Sequence, residues 1–591
     1  MAGPGQQGSL VPRGGGGEVR SPRLLLAGIL LVAAALRLVS FGDPWSGLAH
    51  DFHNHFGAFA TGGQAMRFLT DGIVELDGML TSWRVVLPDG GEVAERYTHH
   101  PPLFIYLEAW SLALFGHVEW ALRLVPALFS MLSVVGAWRL GRLVWGERAG
   151  LLMAAILAVV PWSAWYGVQT FSEGALIWIA CEQLRRYVLW LRTGAARHLW
   201  TAAAWQFLAG LMDWPGGFLL LGLGFHGLLV ATRTRGLRGL LSLLVLPAAF
   251  LAAVAVHWLH MGAVVGSEGR GHDTATTIAT VTTLTTDLGN FLFIQLRNVP
   301  RWLGAGLAVF FALGLVRALL LGVRRRLSAE DWLWPAMLVP GILYVALFPQ
   351  RSVNHDFFFM LALPGMAVLA SGLLLAVTDR LAARSELLGG RGRWIGSALV
   401  VLLLASAAWK TVDVWRGKRS DQIEVLVGTP WVADLIGEPE HVVLTHIGRG
   451  MSLPFYSRAQ LVHSVNRPDR LAWLEHSLLE PIRAKDPDRR VSFLFDLAPA
   501  DKLAGGTVSK LLTSAGLPDA AGPERARAVE DLYRGLDPQV RAGLVTGLLT
   551  PDLAAVHATV TGRYPSEVHV VEGVGLFEVV DLMGESGKGA D

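Results

Sequence analysis

Two groups of titratable residues can move protons or hold charge. His50-Asp51-Phe52-His53-Asn54-His55 comes first, and Tyr97-Thr98-His99-His100-Pro101-Pro102-Leu103 follows later in the same polar region. A carboxylate such as Asp51 can take a proton from a hydroxyl, whereas imidazoles and guanidiniums such as His55, Arg96, His99 and His100 suit an anion. The four-residue spacing of Asp51 and His55 places them on one face of a helix. Asp51 reads equally as the N-cap of an interfacial helix, and the Pro pair as the end of an extended segment and the first turn of a helix. Further along, Glu173 opens an apolar stretch. A carboxylate at a membrane boundary is costly unless it has a task or an arginine partner. Arg351 and His355 stand in Arg351-Ser352-Val353-Asn354-His355-Asp356-Phe357-Phe358-Phe359 before another apolar stretch, and Glu268, Arg270, His272, Asp273 and Arg297 occupy the polar region from 260 to 300.

The elements that must position these residues are membrane spans. Of 591 residues, 52% are hydrophobic and 17% charged, and mean hydropathy is +0.43. Such a composition belongs to polytopic membrane proteins and argues against a soluble enzyme. The net charge of +2 hides an asymmetry, since no lysine precedes Lys410. Cys181 is the only cysteine, which excludes a disulfide framework and a cysteine metal site. Residues 1–20 are Gly-rich and polar, a disordered tail by composition. Apolar runs of span length fall near 24–41, 121–141, 149–167, 173–191, 199–213, 216–232, 239–258, 301–322, 331–348, 357–378 and 394–411. Arginines mark every second connection, which puts those connections and the N-terminus in the cytoplasm. Leu103 to Phe115 is too short to cross and carries Glu108; crossing there would reverse every later arginine cluster, so it reads as a re-entrant or juxtamembrane helix. Residues 413–591 are richer in charge and proline and read as an extracytoplasmic α/β domain. Its strand-like runs lie at 441–446, 490–496 and 567–581, and a helix-like run at 468–484.

Asp51 after the first span, the His99-His100-Pro101-Pro102-Leu103 motif, and Phe115-Gly116-His117-Val118-Glu119-Trp120-Ala121-Leu122-Arg123-Leu124 together resemble the GT-C membrane glycosyltransferases. Among these, the resemblance is to the protein O-mannosyltransferase and lipid A aminoarabinose transferase families. It covers mainly residues 24–380. It implies a GT-C-like transmembrane domain over 21–412, with a catalytic first outer loop at 42–120. The implied reaction is an inverting transfer of a hexose or pentose from a polyprenyl-phosphate donor to a hydroxyl of a protein, glycan or lipid, at the extracytoplasmic face of the cell (inner) membrane. Carried over, Asp51 is the catalytic acid/base. Glu173 stands where relatives carry a second acidic residue, positioning the acceptor or holding an adjacent base. His55, Arg96, His99, His100, Arg351 and His355 become candidates for donor-phosphate or substrate binding, with the phenylalanines after His355 lining a prenyl groove. The aminoarabinose transferases have Lys where this chain has His100, and histidine is a full cation only when protonated; Arg96 or another arginine is the alternative source of charge. Arg123 reads as an interfacial anchor or a partner of Glu119.

The imidazoles around Asp51 would suit a divalent metal, but an oxygen-rich cluster is missing. The expectation is therefore no metal and no cofactor. No nucleic-acid partner is expected. Two other classes compete: a multispan transporter or flippase, and a catalytically inactive accessory subunit. Transporters favour repeats and broken midplane helices, whereas the polar residues here gather at the outer ends of spans.

Overall fold

The computed structural model describes residues 10, 21–39, 41–42, 61–86, 92–98, 100–266, 287–324, 326–384, 390–420, 442–445, 460–461, 479–485, 490–499, 551–571 and 575–582. Asp51, His55 and His99 lie outside them, as do Glu268, Arg270, His272 and Asp273 and most of the helix-like run at 468–484. The chain forms two compact units, one of residues 1–42 with 98–417 and the other of residues 43–97 with 418–591.

Among its described residues the first unit contains helices and turns but no strand. In chain order its helices are α1 (Pro22–Leu38), α2 (Leu103–Phe115), α3 (Glu119–Trp145), α4 (Glu147–Val159), α5 (Pro161–Trp165), α6 (Glu173–Thr193), α7 (Ala196–Met212), α8 (Phe218–His226), α9 (Thr232–Ser242), α10 (Val245–Val265), α11 (Leu288–Leu303), α12 (Ala305–Val323), α13 (Leu333–Leu347), α14 (Pro349–Asn354), α15 (Leu363–Ala383) and α16 (Gly392–Ser420). All the apolar runs named above are helical. Among the described residues five helices are individually long and apolar enough to cross a membrane, and α4 with the following turn makes a sixth, bent by 64°. Others fall short for physical reasons: α6 carries Glu182, Arg185 and Arg186, and α7 has 17 residues. One continuous 52-residue run, Trp214–Val265, is far longer than the roughly 20 residues a crossing needs, and it is interrupted at Gly236, whose φ of 64° suits a residue without Cβ.

The break between α4 and α5 follows from Pro161. A residue before proline is driven out of the helical region, and Val160 is extended at φ −73°, ψ 140°. The last carbonyls of α4 therefore need other donors. The buried Arg37 of α1 supplies them, donating to the carbonyls of Ala158 at 3.1 Å and Leu157 at 3.4 Å. It also reaches Ser163 Oγ and Ser130 Oγ, both at 2.8 Å. One guanidinium thus ties α1, α3, α4 and α5 together. Glycines let neighbouring helices approach closely: a Cβ at Gly150 of α4 would sit 2.6 Å from the carbonyl oxygen of Trp138 in α3. The short α2 packs against α3 and α7 and buries Glu108, both of whose carboxylate oxygens lack a hydrogen-bond partner among the described residues. Arg123 is also buried and donates to the carbonyl of Phe41 at 3.5 Å, so it is no surface anchor.

The arginine-bearing connections meet at one end of the bundle. Arg148 pairs with Asp379 at 2.8 Å, and Arg192 with Glu330 at 2.5 Å while also donating to the carbonyl of Leu143. Trp145 Nε1 donates to Asp331. Because α6 runs about 30 Å from Glu173 to Arg192 at 1.5 Å per residue, Glu173 lies at the opposite end.

In the second unit β1 (Thr81–Val86) and β2 (Glu92–Arg96) form an antiparallel hairpin following the helix Gly63–Thr70. A five-stranded mixed sheet is built from β3 (Val442–Thr445), β4 (Gln460–Leu461), β5 (Val491–Pro499), β6 (Ser566–Val571) and β7 (Gly575–Asp581) in the order β4-β3-β5-β7-β6. β3 is parallel to β4 and β5, while β7 is antiparallel to β5 and β6. The single strand-like run at 567–581 is thus a hairpin of two strands, and a helix at Pro551–Arg563 precedes it.

Candidate active site

At the end of the bundle away from the arginines, the connections before α2, before α6 and after α7 converge on Asp213. The chain turns there: Asp213 is extended at φ −171° and caps the short 3₁₀ turn Trp214–Gly217, its Oδ1 accepting from the Trp214 backbone N–H at 2.7 Å. The same oxygen meets His100 Nδ1 at 2.7 Å, and Oδ2 accepts from Ser172 Oγ at 2.6 Å. Gly216 is fixed in turn by Gln206 Nε2, which donates to its carbonyl at 2.9 Å. His100 is held in place by the Pro101-Pro102 pair opening α2, and 45% of its side chain remains open, so a ligand can reach the ring.

Charge is finely set at this pair. Burial alone works against a charged His100, but the Asp213 carboxylate, through its charge and its hydrogen bond, outweighs both that and the opposing Arg351, holding the imidazole above its ordinary range. Burial likewise works against an ionised Asp213, yet His100, Ser172 and the Trp214 amide together hold it below the usual carboxylate range. The two directions agree: each group favours the charged form of the other.

Glu173, the next residue after Ser172, is the first residue of α6. It is buried, close enough to feel the charge of Asp213, and its Oε2 has no hydrogen-bond partner among the described residues. No arginine pairs with it among those residues. Arg351 on α14 is exposed and near enough to act on His100. His355, by contrast, is buried, stacked on Phe358 at 5.4 Å and edge-on to Phe357 at 5.3 Å. Phe357 stacks in turn on Phe171 at 4.3 Å, and Phe358 on Tyr344 at 4.1 Å. Beside them Asp356 accepts from Trp302 Nε1 at 2.6 Å and from the Tyr166 hydroxyl, which locks α11 and α14 to the turn after α5.

The structure therefore brings His100, Glu173 and Arg351 into one region. Arg96, in the other unit, donates to the Leu76 carbonyl at 2.5 Å and to Asp77 at 3.1 Å, which ties β2 to the preceding turn. Arg297 lies over the Phe293 ring at 5.9 Å. Reasoning from sequence looks to the outer connections Gln169 to Ser172 and Asp213-Trp214-Pro215-Gly216 for active-site residues but singles out neither Ser172 nor Asp213; the signal was an aspartate in a four-residue break between two apolar runs. Among the described residues no three His, Cys, Asp or Glu side chains group to hold a metal.

The family model for dolichyl-phosphate-mannose-protein mannosyltransferases matches residues 99–260, which contain His100, Ser172, Glu173 and Asp213. Among solved structures, the chain resembles ArnT from Cupriavidus metallidurans in the apo state at 15% identity, with a TM-score of 0.54 over 95% of this chain and 98% of that one. The chain shares the ArnT fold. ArnT bound to undecaprenyl phosphate also matches the chain, at 15% identity and a TM-score of 0.53 over 95% and 99%. The archaeal oligosaccharyltransferase AglB from Archaeoglobus fulgidus, in complex with an inhibitory peptide and a dolichol-phosphate, aligns at 15% identity with a TM-score of 0.50 over 80% and 69%. No curated protein sequence matches the chain significantly.

Proposed function

We propose that this protein is a GT-C glycosyltransferase of the inverting kind that moves a hexose or pentose from a polyprenyl-phosphate donor to a hydroxyl of a protein, glycan or lipid. The observation that carries the reading is the joining of the His100–Asp213 pair, Ser172, the buried Glu173 and the nearby Arg351 at one end of an apolar bundle. Catalytic carboxylates and cations gathered where lipid meets water suit a substrate whose tail is in the membrane and whose phosphate and sugar are at its surface. Relatives of the same fold support the lipid class, since ArnT was captured with undecaprenyl phosphate and AglB with dolichol-phosphate.

In this reaction the acceptor oxygen bonds to the anomeric carbon from the face opposite the phosphate. The bond from that carbon to the phosphate oxygen breaks, and the prenyl phosphate departs with the electron pair. Charge develops on the leaving phosphate, so cations aimed at it act most strongly in the loose, oxocarbenium-like transition state. His100 and Arg351 fill that role here, and Arg96, His55, His99 and His355 stay as further candidates for substrate contact. The acceptor proton passes to a carboxylate: Asp51 is the base, and Glu173 positions the acceptor or takes the proton in its stead. The reaction needs no metal.

Eleven crossings with the arginine end in the cytoplasm put the N-terminus inside and residues 413–591 outside the cell (inner) membrane. The outer domain then recognises the acceptor. The test is transfer of radiolabelled sugar from polyprenyl-phosphate donors by the purified protein, by Asp51→Asn and by Glu173→Gln, with chelator in a parallel reaction. Turnover that vanishes in Asp51→Asn and survives the chelator supports metal-independent base catalysis. An active Asp51→Asn moves the base to Glu173.

A further inference from the structure

A histidine stands where the aminoarabinose transferases hold a lysine, and a neutral imidazole is a weak ligand for a lipid phosphate. The fold answers this with Asp213, a residue 113 positions away in sequence. Its carboxylate is fixed from three directions, by Ser172 Oγ, by the Trp214 amide and by His100 Nδ1. Two of those contacts persist whatever the imidazole does, so Asp213 is preorganised to meet an imidazolium. We propose that Asp213 is a positioning residue for donor binding: it orients His100 through Nδ1 and keeps the ring cationic, so that Nε2–H meets the donor phosphate as a charge-assisted donor. This rests on the polyprenyl-phosphate reading above.

The other charged and titratable groups around His100 come from each element packed near it. Arg351 on α14 opposes the ring's charge, Asp213 supports it, and Glu173 on α6 adds a carboxylate beside Asp213. His257 on α10 stands edge-on to Trp214 at 5.3 Å, within reach of the charge on His100 and of His260. Asp213 touches the ring through a hydrogen bond of 2.7 Å.

The sign of the pH dependence follows. His100 is held above its ordinary value by Asp213, so donor binding is full near pH 6.5 and below, and is lost as pH rises through the elevated value. Without the carboxylate, burial and Arg351 act unopposed, and the loss moves to lower pH.

The experiment measures the affinity of a radiolabelled prenyl methyl phosphodiester for the full-length protein in lipid nanodiscs, from about pH 6 to about pH 9.5. A diester carries one fixed charge, as the sugar donor does, so the probe does not titrate in this range. Wild type should bind with an affinity that falls at a midpoint above about pH 6.5. Asp213→Asn should shift that midpoint down by about one pH unit or more, an approximately tenfold loss of affinity on the alkaline side with less change at the acid end. His100→Lys should bind with no midpoint in the range, because lysine titrates near pH 10.4, and adding Asp213→Asn to it should not restore one. An Asp213→Asn protein that weakens binding equally at every pH with an unmoved midpoint would overturn the proposal, as would a His100→Lys protein that keeps the wild-type midpoint. If no form binds the probe at any pH, the polyprenyl-phosphate reading itself fails, a result distinct from a pH-independent wild type, which sinks only the role of Asp213.

Discussion

Replacing Arg37 by Met would keep the length of the apolar stem on α1 while removing the donors to the Leu157 and Ala158 carbonyls at the broken end of α4. Arg37 is buried and contacts no carboxylate; its partners are the carbonyls of Ala33, Leu157, Ala158 and Ser163 and the hydroxyls of Ser130 and Ser163. The two serine hydroxyls can rotate toward each other or toward the Ser163 carbonyl, which Ser130 Oγ already reaches at 2.9 Å. The Ala33 carbonyl still has its helical partner. The Leu157 and Ala158 carbonyls have no such recourse, since Pro161 offers no N–H. Two buried acceptors left unsatisfied at about 1–3 kcal/mol each give a loss of about 2–6 kcal/mol. At about 2–4 °C per kcal/mol for a domain of a few hundred residues, the midpoint should fall by roughly 4–24 °C. Cys181 supplies the assay: it is the sole cysteine and is buried, so a thiol-reactive fluorogenic dye reports unfolding of the detergent-solubilised protein directly. Arg37→Lys, with one ammonium in place of the fork, should fall between the two. A midpoint for Arg37→Met within about 1 °C of wild type would refute the capping argument.

Other outcomes follow from the same geometry. Glu173→Gln keeps the volume and removes the charge beside Asp213; if Glu173 takes the proton, kcat should drop by about 10²–10⁴ with the thermal midpoint unchanged, and if it only positions the acceptor, KM should rise instead. Asp356→Asn leaves either Trp302 or Tyr166 without a good acceptor and should cost about 1–3 kcal/mol, read as a lower midpoint and a shifted tryptophan emission. Gly150→Leu drives a side chain into the Trp138 carbonyl and the α3 backbone, and should abolish folded, monodisperse protein on size-exclusion chromatography. Arg192→Ala breaks a partly exposed ion pair with Glu330 and should change the midpoint by no more than a few degrees, corresponding to about 1 kcal/mol or less.

The helices were legible because a bilayer demands long apolar runs, and the composition between them is polar enough to mark the ends. Even Leu103–Phe115, too short to cross, stands out by its length and Glu108. The resemblance to GT-C enzymes rested on two local signals, Asp51 after the first span and the stretch 97–124, each legible within a short run of the chain. Contacts across the bundle left no such mark. Asp213 and His100 are 113 residues apart, and Arg37 and Ala158 121 apart, so neither pairing has a local period to read. Their individual chemistry was visible, but their partners were set by packing. The β6–β7 hairpin was read as one strand-like run although Gly573 and Gly575 sit within it, because both strands are rich in β-branched residues and two glycines around a valine are a weak turn signal. Arg123 was expected at the surface by its position at a helix end; the burial of its turn against Phe41 reverses that.

The central claim is that the chain cleaves the bond between sugar and prenyl phosphate instead of carrying the donor intact across the membrane. Proteoliposomes loaded with a donor labelled with tritium in the prenyl chain and carbon-14 in the sugar, and offered a panel of hydroxyl acceptors, test it directly. The account predicts that the two labels separate: carbon-14 moves to a water-soluble or acceptor-bound product, tritium stays as prenyl phosphate, and removal of the catalytic base by Asp51→Asn abolishes the separation. Labels that cross together and remain on one molecule would contradict it and make the protein a lipid transporter.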